Sequence, residues 1–369
     1  MRIGVLTCRL DDRGGALHEL LDRIATWDQH TVLVAHGGGA PERLGDRWPE
    51  GVASVRVRGL DAPAHADTPG LGALLATVDV VVVQNVMNPL ALRQATATRR
   101  AVVTVQDHRL FCPGPGKTLP DDTDCDQEFG SGVCDACLPD AGYRARLIAL
   151  TRARRDAIEG ARLTVLSRYM AEALAAVGLP GAEVIPPWVS AGPVRAHPGD
   201  GFLLGGRLVA HKAPDLAHAA WRQSGVDAPL RVAGAGRLAE ALEGADRLGW
   251  LEPAALTAAL RASRALLFPT RWQEPFGILG LEALAQGVPV IAIDRGGVRD
   301  WAGTGVIRVR TQQEMADAIR HLHAHPDEAQ ALGEAGRQAV AARFAKAEIA
   351  ARWEGLLVDL ARSRGGGAA

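Results

Sequence analysis

The chain has 369 residues, 47% of them hydrophobic, and a formal charge of −1. That length suits two domains of ordinary size, and the apolar content is enough for two buried cores. The near-neutral balance gives no reason to expect nucleic acid. No apolar run approaches about 18 residues and MRIGVLT enters a strand directly, so neither a transmembrane helix nor a signal peptide is expected. The reading is cytoplasmic, with peripheral contact at the inner membrane face left open. Ala, Arg and Gly are heavily used and Lys occurs only at 117, 212 and 346, a bias of the kind a GC-rich bacterial genome gives.

Continuous apolar runs at 3–6, 32–35, 80–83, 101–105 and 163–166 alternate with helical stretches. Strands apolar on both faces belong to a parallel sheet covered on both sides. Gly14 and Gly15 open a helix that carries Leu17, Leu20, Leu21 and Ile24 on one side, a turn where backbone can approach a ligand. His36-Gly37-Gly38-Gly39 reads as a flexible connection. Gln84-Asn85 ends a strand, so these side chains are expected at the carboxyl edge of the sheet, where open α/β sheets bind ligands; a plain turn is the alternative.

The segment TVQDHRLFCPG, residues 104–114, puts Gln106, Asp107 and His108 at the end of another strand. Cys112, Cys125, Cys134 and Cys137 follow with the spacing C-x12-C-x8-C-x2-C, in a loop rich in Gly, Pro and Asp and almost without apolar residues. Ordering such a loop is costly without a staple. In a reducing compartment four thiolates around Zn²⁺ account for it better than disulfides. An iron–sulfur cluster would use the same ligands, and free thiols are the remaining alternative. A metal here would be structural, because four protein ligands leave no open position. Cys8 reads as a small buried hydrophobe. Residues 143–162 form a basic amphipathic helix, read as a solvated face over a core, with anionic lipid as the alternative partner. Ser167 is placed to cap the next helix.

Residues 186–200 are rich in Pro and Gly and mark a linker. A strand at 202–204 leads into Gly205-Gly206-Arg207-Leu208-Val209-Ala210-His211-Lys212, then a helix at 215–221. Residues 230–236 read as a strand ending in a G-x-G turn at Gly234 and Gly236, and Leu248-Gly249-Trp250-Leu251 follows. The densest block is LFPTRWQEPFGILGLEALAQGVPVIA, residues 267–292: a buried strand at 265–268, a loop holding Glu274, a helix over about 277–286, and a strand at 288–292. Gly277 has no side chain where the loop enters the helix, so an anion can come close to the first free N–H groups. Glu282 lies about 7–8 Å along that helix at roughly 1.5 Å per residue, the span from a pyrophosphate to a nucleotide ribose. Helices are expected at 311–323, 327–344 and 345–363, and the terminal SRGGGAA is expected to be disordered.

These blocks resemble the retaining nucleotide-sugar glycosyltransferases of the GT-B fold in the large family four. Glu274 and Glu282 form its E-x7-E signature, Arg207 and Lys212 its G-R-x(4)-K region, and Gly14-Gly15 its glycine-rich loop. The resemblance covers nearly the whole chain, is strongest over 200–300 and weakest over 36–75. It implies an α/β chain of two doubly wound Rossmann-like domains facing each other across a cleft. Residues 1–187 would be the acceptor-side domain with the Cys-rich loop 112–137, and residues 188–345 the nucleotide-sugar donor domain. Residues 346–369 would hold a helix crossing back to the first domain, then the tail.

The resemblance also implies roles. Glu274 lies near the donor sugar, and Arg207 and Lys212 neutralise the leaving diphosphate. Backbone at Phe276, Gly277, Ile278 and Leu279 meets the sugar and diphosphate, and Glu282 binds the ribose. Gly14, Gly15, Gly234 and Gly236 lie near the nucleotide, with Leu251 at the base and Trp250 either stacking there or packed in the core. Many family members have a His-Asp pair where this chain has Gln106-Asp107; Gln106 can hydrogen-bond but cannot carry a proton charge. His108, displaced by two positions, would substitute at the sugar if the loop turns inward, a partly exposed loop histidine being the alternative. The implied reaction is retaining transfer of a hexose from a nucleoside-diphosphate sugar, UDP being favoured by frequency, to a hydroxyl of a small molecule, glycan or lipid, with no catalytic divalent metal. An epimerase or hydrolase of the same fold and a non-catalytic sugar-nucleotide- or glycan-binding subunit are the alternatives, the latter suggested by Gln106.

Overall fold

Apolar runs with no polar alternation become strands buried on both faces in the computed structural model, which describes residues 1–11, 14–130 and 132–362. The chain divides into two units, Met1–Pro186 with Ala347–Ala369, and Pro187–Lys346. The expected tail 363–369 lies outside the described residues.

In the first unit the strands are β1 (Arg2–Arg9), β2 (Thr31–Gly38), β3 (Ala53–Arg56), β4 (Val80–Gln84), β5 (Ala101–Val105), β6 (Arg162–Val165) and β7 (Glu183–Val184). They form one parallel sheet in the order β3-β2-β1-β4-β5-β6-β7. Every residue of β4 and β5 is buried, as a sheet covered on both faces requires. The covering helices are α1 (Gly15–Ile24), α2 (Leu71–Ala76), α3 (Pro89–Thr96), the single turn α4 (Cys134–Cys137), α5 (Ala141–Ile158) and α6 (Arg168–Ala175). Ser167 caps α6 by accepting from the Met170 N–H at 3.1 Å, the role its position predicts.

Two readings of this half change, and one edge strand was not expected. The His36 segment is not a loose connection: β2 runs through Gly38, and a Cβ on Gly37 would lie 2.3 Å from the Asp61 backbone nitrogen. Strand β3 has no apolar run because all four of its residues are exposed at the sheet edge. Cys8 is half-buried rather than buried. The basic helix is α5, whose Arg154 is buried and donates to the carbonyls of Met87, Arg109 and Pro63. Its Arg144 and Arg155 pair with Asp135 and Glu128.

The second unit repeats the plan with β8 (Phe202–Arg207), β9 (Leu230–Ala235), β10 (Asp246–Gly249), β11 (Ala265–Phe268), β12 (Val290–Ile293) and β13 (Val306–Val309), parallel in the order β10-β9-β8-β11-β12-β13. Its helices are α7 (Pro214–Ser224), α8 (Pro253–Ala262), α9 (Ile278–Ala285), α10 (Val298–Trp301), α11 (Gln312–Ala324) and α12 (Pro326–Arg343). In both sheets the strand order reverses beside the first strand of the unit, between β1 and β4 and between β8 and β11. Ligands in such sheets bind outside the carboxyl ends at that reversal. Among the described residues no helix is long and apolar enough to cross a membrane.

The last helix, α13 (Lys346–Arg362), belongs almost wholly to the first unit. Its Trp353 ring lies 4.0 Å from the guanidinium of Arg23 on α1, and His30 meets Glu354 at 2.9 Å. Arg23 is fully buried; it approaches Glu19 at 3.6 Å and donates to Gln84 and, at 3.5 Å, to Thr104. Removing one member of a buried charge pair leaves the other uncompensated. Arg23→Ala is therefore expected to lower stability by about 3–5 kcal/mol in denaturant titration, whereas a loss under about 1 kcal/mol would show that Glu19 is solvated without it.

Candidate active site

The reversal between β8 and β11 gathers the charged residues of the second unit. Strand β8 ends at Arg207, which is exposed. A short turn, residues 210–212, then presents Lys212. From the neighbouring β11 the chain runs through Thr270 and Trp272 to Glu274 and enters α9. Leu279 of α9 packs over Gly205 of β8, where a Cβ would be 2.6 Å from its Cδ2. The helix start and the end of β8 are therefore in contact.

The side chains meet there. Lys212 Nζ donates to Glu274 Oε2 at 2.6 Å. Trp272 Nε1 donates to the same oxygen at 2.8 Å and the Thr270 hydroxyl at 3.4 Å. Lys212 also lies 5.2 Å from the Trp272 ring. Gly297 N–H holds the Glu274 carbonyl at 2.6 Å, and Arg271 fastens the loop to Asp215 at the start of α7 through two 2.7 Å bonds. Glu274 is 5% exposed, so its carboxylate depends on these donors. Burial alone would push that carboxyl up; the Lys212 charge and hydrogen bond, with the Trp272 N–H, outweigh it and hold it below its ordinary 4.5.

Trp272, Thr270 and His211 were not among the residues the motifs pointed to. His211 stacks on Trp272 with ring centroids 4.6 Å apart, and its Nε2 is buried without a hydrogen-bond partner. Burial first, then the charges of Lys212 and Arg207, hold its imidazole down to about 4. It is therefore neutral at physiological pH, and the site's positive charge rests on Lys212, Arg207 and the nearby Arg237. The one available signal was position, two residues from Glu274 for Trp272 and adjacent to Lys212 for His211.

The helix start fits an anion. Gly277 caps α9 at φ 92, a left-handed conformation that favours glycine, and a Cβ there would lie 2.8 Å from the Phe268 ring. The N–H groups of Ile278 and Leu279 stand in the first turn, where an α-helix supplies no acceptor. Glu282 is half-exposed one turn further along. Phe276 turns the other way: its ring is buried edge-on to Phe344, and its carbonyl accepts from Trp301 at 2.5 Å. Only its backbone N–H remains to serve a ligand.

The G-x-G at Gly234 and Gly236 has a packing reason. A Cβ on Gly234 would lie 2.0 Å from the Gly206 carbonyl oxygen, and one on Gly236 2.4 Å from that of Leu208. Trp250 and Leu251 follow the edge strand β10 and are half-exposed, outside the core.

The first unit carries the remaining candidates. Gly14 precedes α1 with nothing within 4 Å of where its Cβ would sit, and Gly15 is the first helical residue. Gln106 and Asp107 line one pocket with Asn85 and Thr104. Gln106 Nε2 donates to Glu19 at 2.8 Å, and its Oε1 is buried without a partner. Burial raises the Asp107 carboxyl, but the Arg109 guanidinium at 2.5 Å outweighs it and holds it low. His108 does not join them. It is 2% exposed and packs against Phe111 and Tyr169, with Nε2 2.8 Å from the Tyr169 hydroxyl. The loop turns its ring into the core rather than into the pocket. Cys112, Cys125, Cys134 and Cys137 line a separate pocket. Burial, then the other three sulfurs, push the Cys137 thiol up.

Two doubly wound parallel-sheet domains of this kind are the architecture of GT-B glycosyltransferases. Residues 199–339, within the second unit, match the family model described as "Glycosyl transferases group 1". In fold the chain is similar to the crystal structure of Anabaena HepE in complex with UDP and glucose, with TM-score 0.70, 16% identity, and 97% of this chain and 100% of that one covered. It is also similar to sucrose-phosphate synthase from Thermosynechococcus elongatus, with TM-score 0.68, 17% identity, and 97% and 98% covered. Among curated proteins it is similar to a GDP-mannose-dependent alpha-(1-6)-phosphatidylinositol monomannoside mannosyltransferase of Mycobacterium tuberculosis, 40% identical over 92 residues. That match spans 24% of this chain and 22% of the relative's length.

Because the folded Glu274 carboxyl titrates below 4.5, the stability it contributes is present above that pH and is lost as pH falls through the lower folded value. Lys212→Met should reverse the direction, since burial, the largest cause, is then opposed mainly by the Trp272 N–H. The acid edge of thermal stability is expected to move to higher pH, with a loss of about 3–5 kcal/mol at neutral pH. An unchanged acid edge in melting curves taken at falling pH would show that the pair does not set the Glu274 charge.

Proposed function

We propose that the protein is a retaining glycosyltransferase that moves a hexose from a nucleoside-diphosphate sugar to a hydroxyl acceptor. The observation that carries this reading is the Lys212–Glu274 pair, with Arg207, beside the start of α9 at the strand-order reversal. As the bond from the anomeric carbon to the diphosphate breaks, negative charge grows on the leaving oxygens. Lys212, Arg207 and the first-turn amides of α9 offset that charge. The residues around this pair include enough cations to do so without a catalytic metal ion.

Glu274 has a different task. Its three donors all fall on Oε2, which leaves Oε1 to accept from a sugar hydroxyl and orient the ring. Glu282 on α9 would take the ribose hydroxyls, and Trp250 and Leu251 the base. Gly14 and Gly15 would approach the phosphates, and Gln106 and Asp107 would serve the sugar and acceptor. In the retaining step the acceptor oxygen bonds the anomeric carbon on the face the diphosphate leaves. The acceptor proton passes to a leaving phosphate oxygen, so no enzyme base is consumed. Residues 1–187 are read as the acceptor domain and residues 188–345 as the donor domain, acting at the cytoplasmic side.

Lys212→Ala and Glu274→Ala are each expected to lower turnover on the order of 10²–10³-fold, with circular dichroism unchanged. The assay is release of UDP from UDP-sugars over a panel of acceptor hydroxyls. Near-normal turnover in either variant refutes the assignment, and donor consumption without any acceptor dependence favours a hydrolase or epimerase. Uridine is favoured by the UDP and glucose in the HepE complex, guanosine by the GDP-mannose dependence of the mycobacterial relative. A thermal-shift comparison decides: at ligand about 100-fold over Kd the correct nucleotide adds about 2.7 kcal/mol. Stabilisation by GDP and not by UDP would overturn the uridine reading.

A further inference from the structure

The loop between β5 and α5 has little of its own to hold it. Among the described residues its regular structure is one short helical turn at His108–Leu110, one isolated bridge, Thr118 to Asp124, and the single turn α4. Its surface ties to α5 include two ion pairs, Arg144 with Asp135 at 3.0 Å and Arg155 with Glu128 at 2.8 Å, whose acidic partners are exposed; Arg144 also donates to the Leu138 carbonyl at 2.7 Å. Exposed pairs contribute about 0–1 kcal/mol each, too little to order a segment of this length. Four half-buried cysteines lie in the same segment.

The sulfurs share one pocket, lined also by Phe111, Lys117, Thr118, Phe129 and Leu138. The position a Cβ would take on Gly114 is 3.8 Å from Cys137 Sγ and 3.9 Å from Cys112 Sγ, so both converge on that glycine. Backbone amides face two of them, Lys117 N to Cys112 Sγ at 3.5 Å and Gly130 N to Cys134 Sγ at 3.4 Å. None of the four is in a disulfide.

We infer that Cys112, Cys125, Cys134 and Cys137 bind one Zn²⁺ as thiolates, a structural site that fixes this loop beside α5. Soft sulfur ligands in a set of four select zinc in tetrahedral geometry, and four protein ligands leave no position for a reacting water. Each thiol releases its proton on binding. No three of the four sulfurs lie within 4.8 Å of one another, the spacing that links the exposed His321, His325 and Glu328. With Zn–S bonds of about 2.3 Å the ion draws them together, so binding tightens the loop. The role is independent of which sugar nucleotide the second unit takes.

Metal analysis of the full chain, purified from medium containing both zinc and iron, is expected to give one zinc per chain without acid-labile sulfide. Displacement with a mercurial should release that zinc in step with four thiols. Cys134→Ser should lose the metal, Cys8→Ser and His321→Ala should keep it, and a chelator should expose residues 112–137 to protease. Iron with sulfide, disulfides among the four, or reactive thiols with no metal would each overturn the inference. So would zinc that survives Cys134→Ser and leaves with His321→Ala. If Cys134→Ser does not fold, the release of zinc with four thiols from the unaltered chain decides.

Discussion

The second unit is built around one buried ion pair, Lys212 Nζ to Glu274 Oε2 at 2.6 Å. A carboxylate this deeply buried stays charged only if its donors are already in place. Its neighbours show how that is arranged. Arg271 clamps the loop to α7, Gly297 grips the Glu274 carbonyl, and Trp272 supplies a donor from the same loop that it braces against His211. The ammonium is thereby fixed at the end of β8, beside the first turn of α9. A positive patch preorganised in this way does not have to reorganise when charge develops on a leaving group.

Much of this could be read from residues alone because the physics is local. Runs such as VVVVQ and ALLF could belong only to strands covered on both faces, and they form the centres of the two sheets. The turn into α9 was legible from Gly277, which sits in the left-handed region the turn requires. Edge strands escaped for the opposite reason: β3 and β10 are exposed at every residue and have no apolar run to announce them.

Side-chain direction was the harder quantity. His108 and Gln106 are two residues apart at the same strand end, yet one lies against Tyr169 in the core and the other lines the pocket. Phe276 sits inside the most specific motif but spends its ring on the core. The G-x-G at Gly234 and Gly236 is needed by the approach of β8, whatever else it serves. In each case tertiary packing decides, and spacing along the chain does not reveal it. The buried cluster of Arg23, Glu19, Gln84 and Trp353 is of the same kind, because α13 supplies the ring from the far end of the chain.

The account rests on an anion seated at the start of α9. Crystals of the full chain soaked with UDP test this most directly. The account predicts density for the two phosphates within hydrogen-bonding distance of the Ile278 and Leu279 amides, with Arg207 and Lys212 alongside and Glu282 at the ribose. A nucleotide bound elsewhere, with Arg207 and Glu282 turned to solvent, would contradict it.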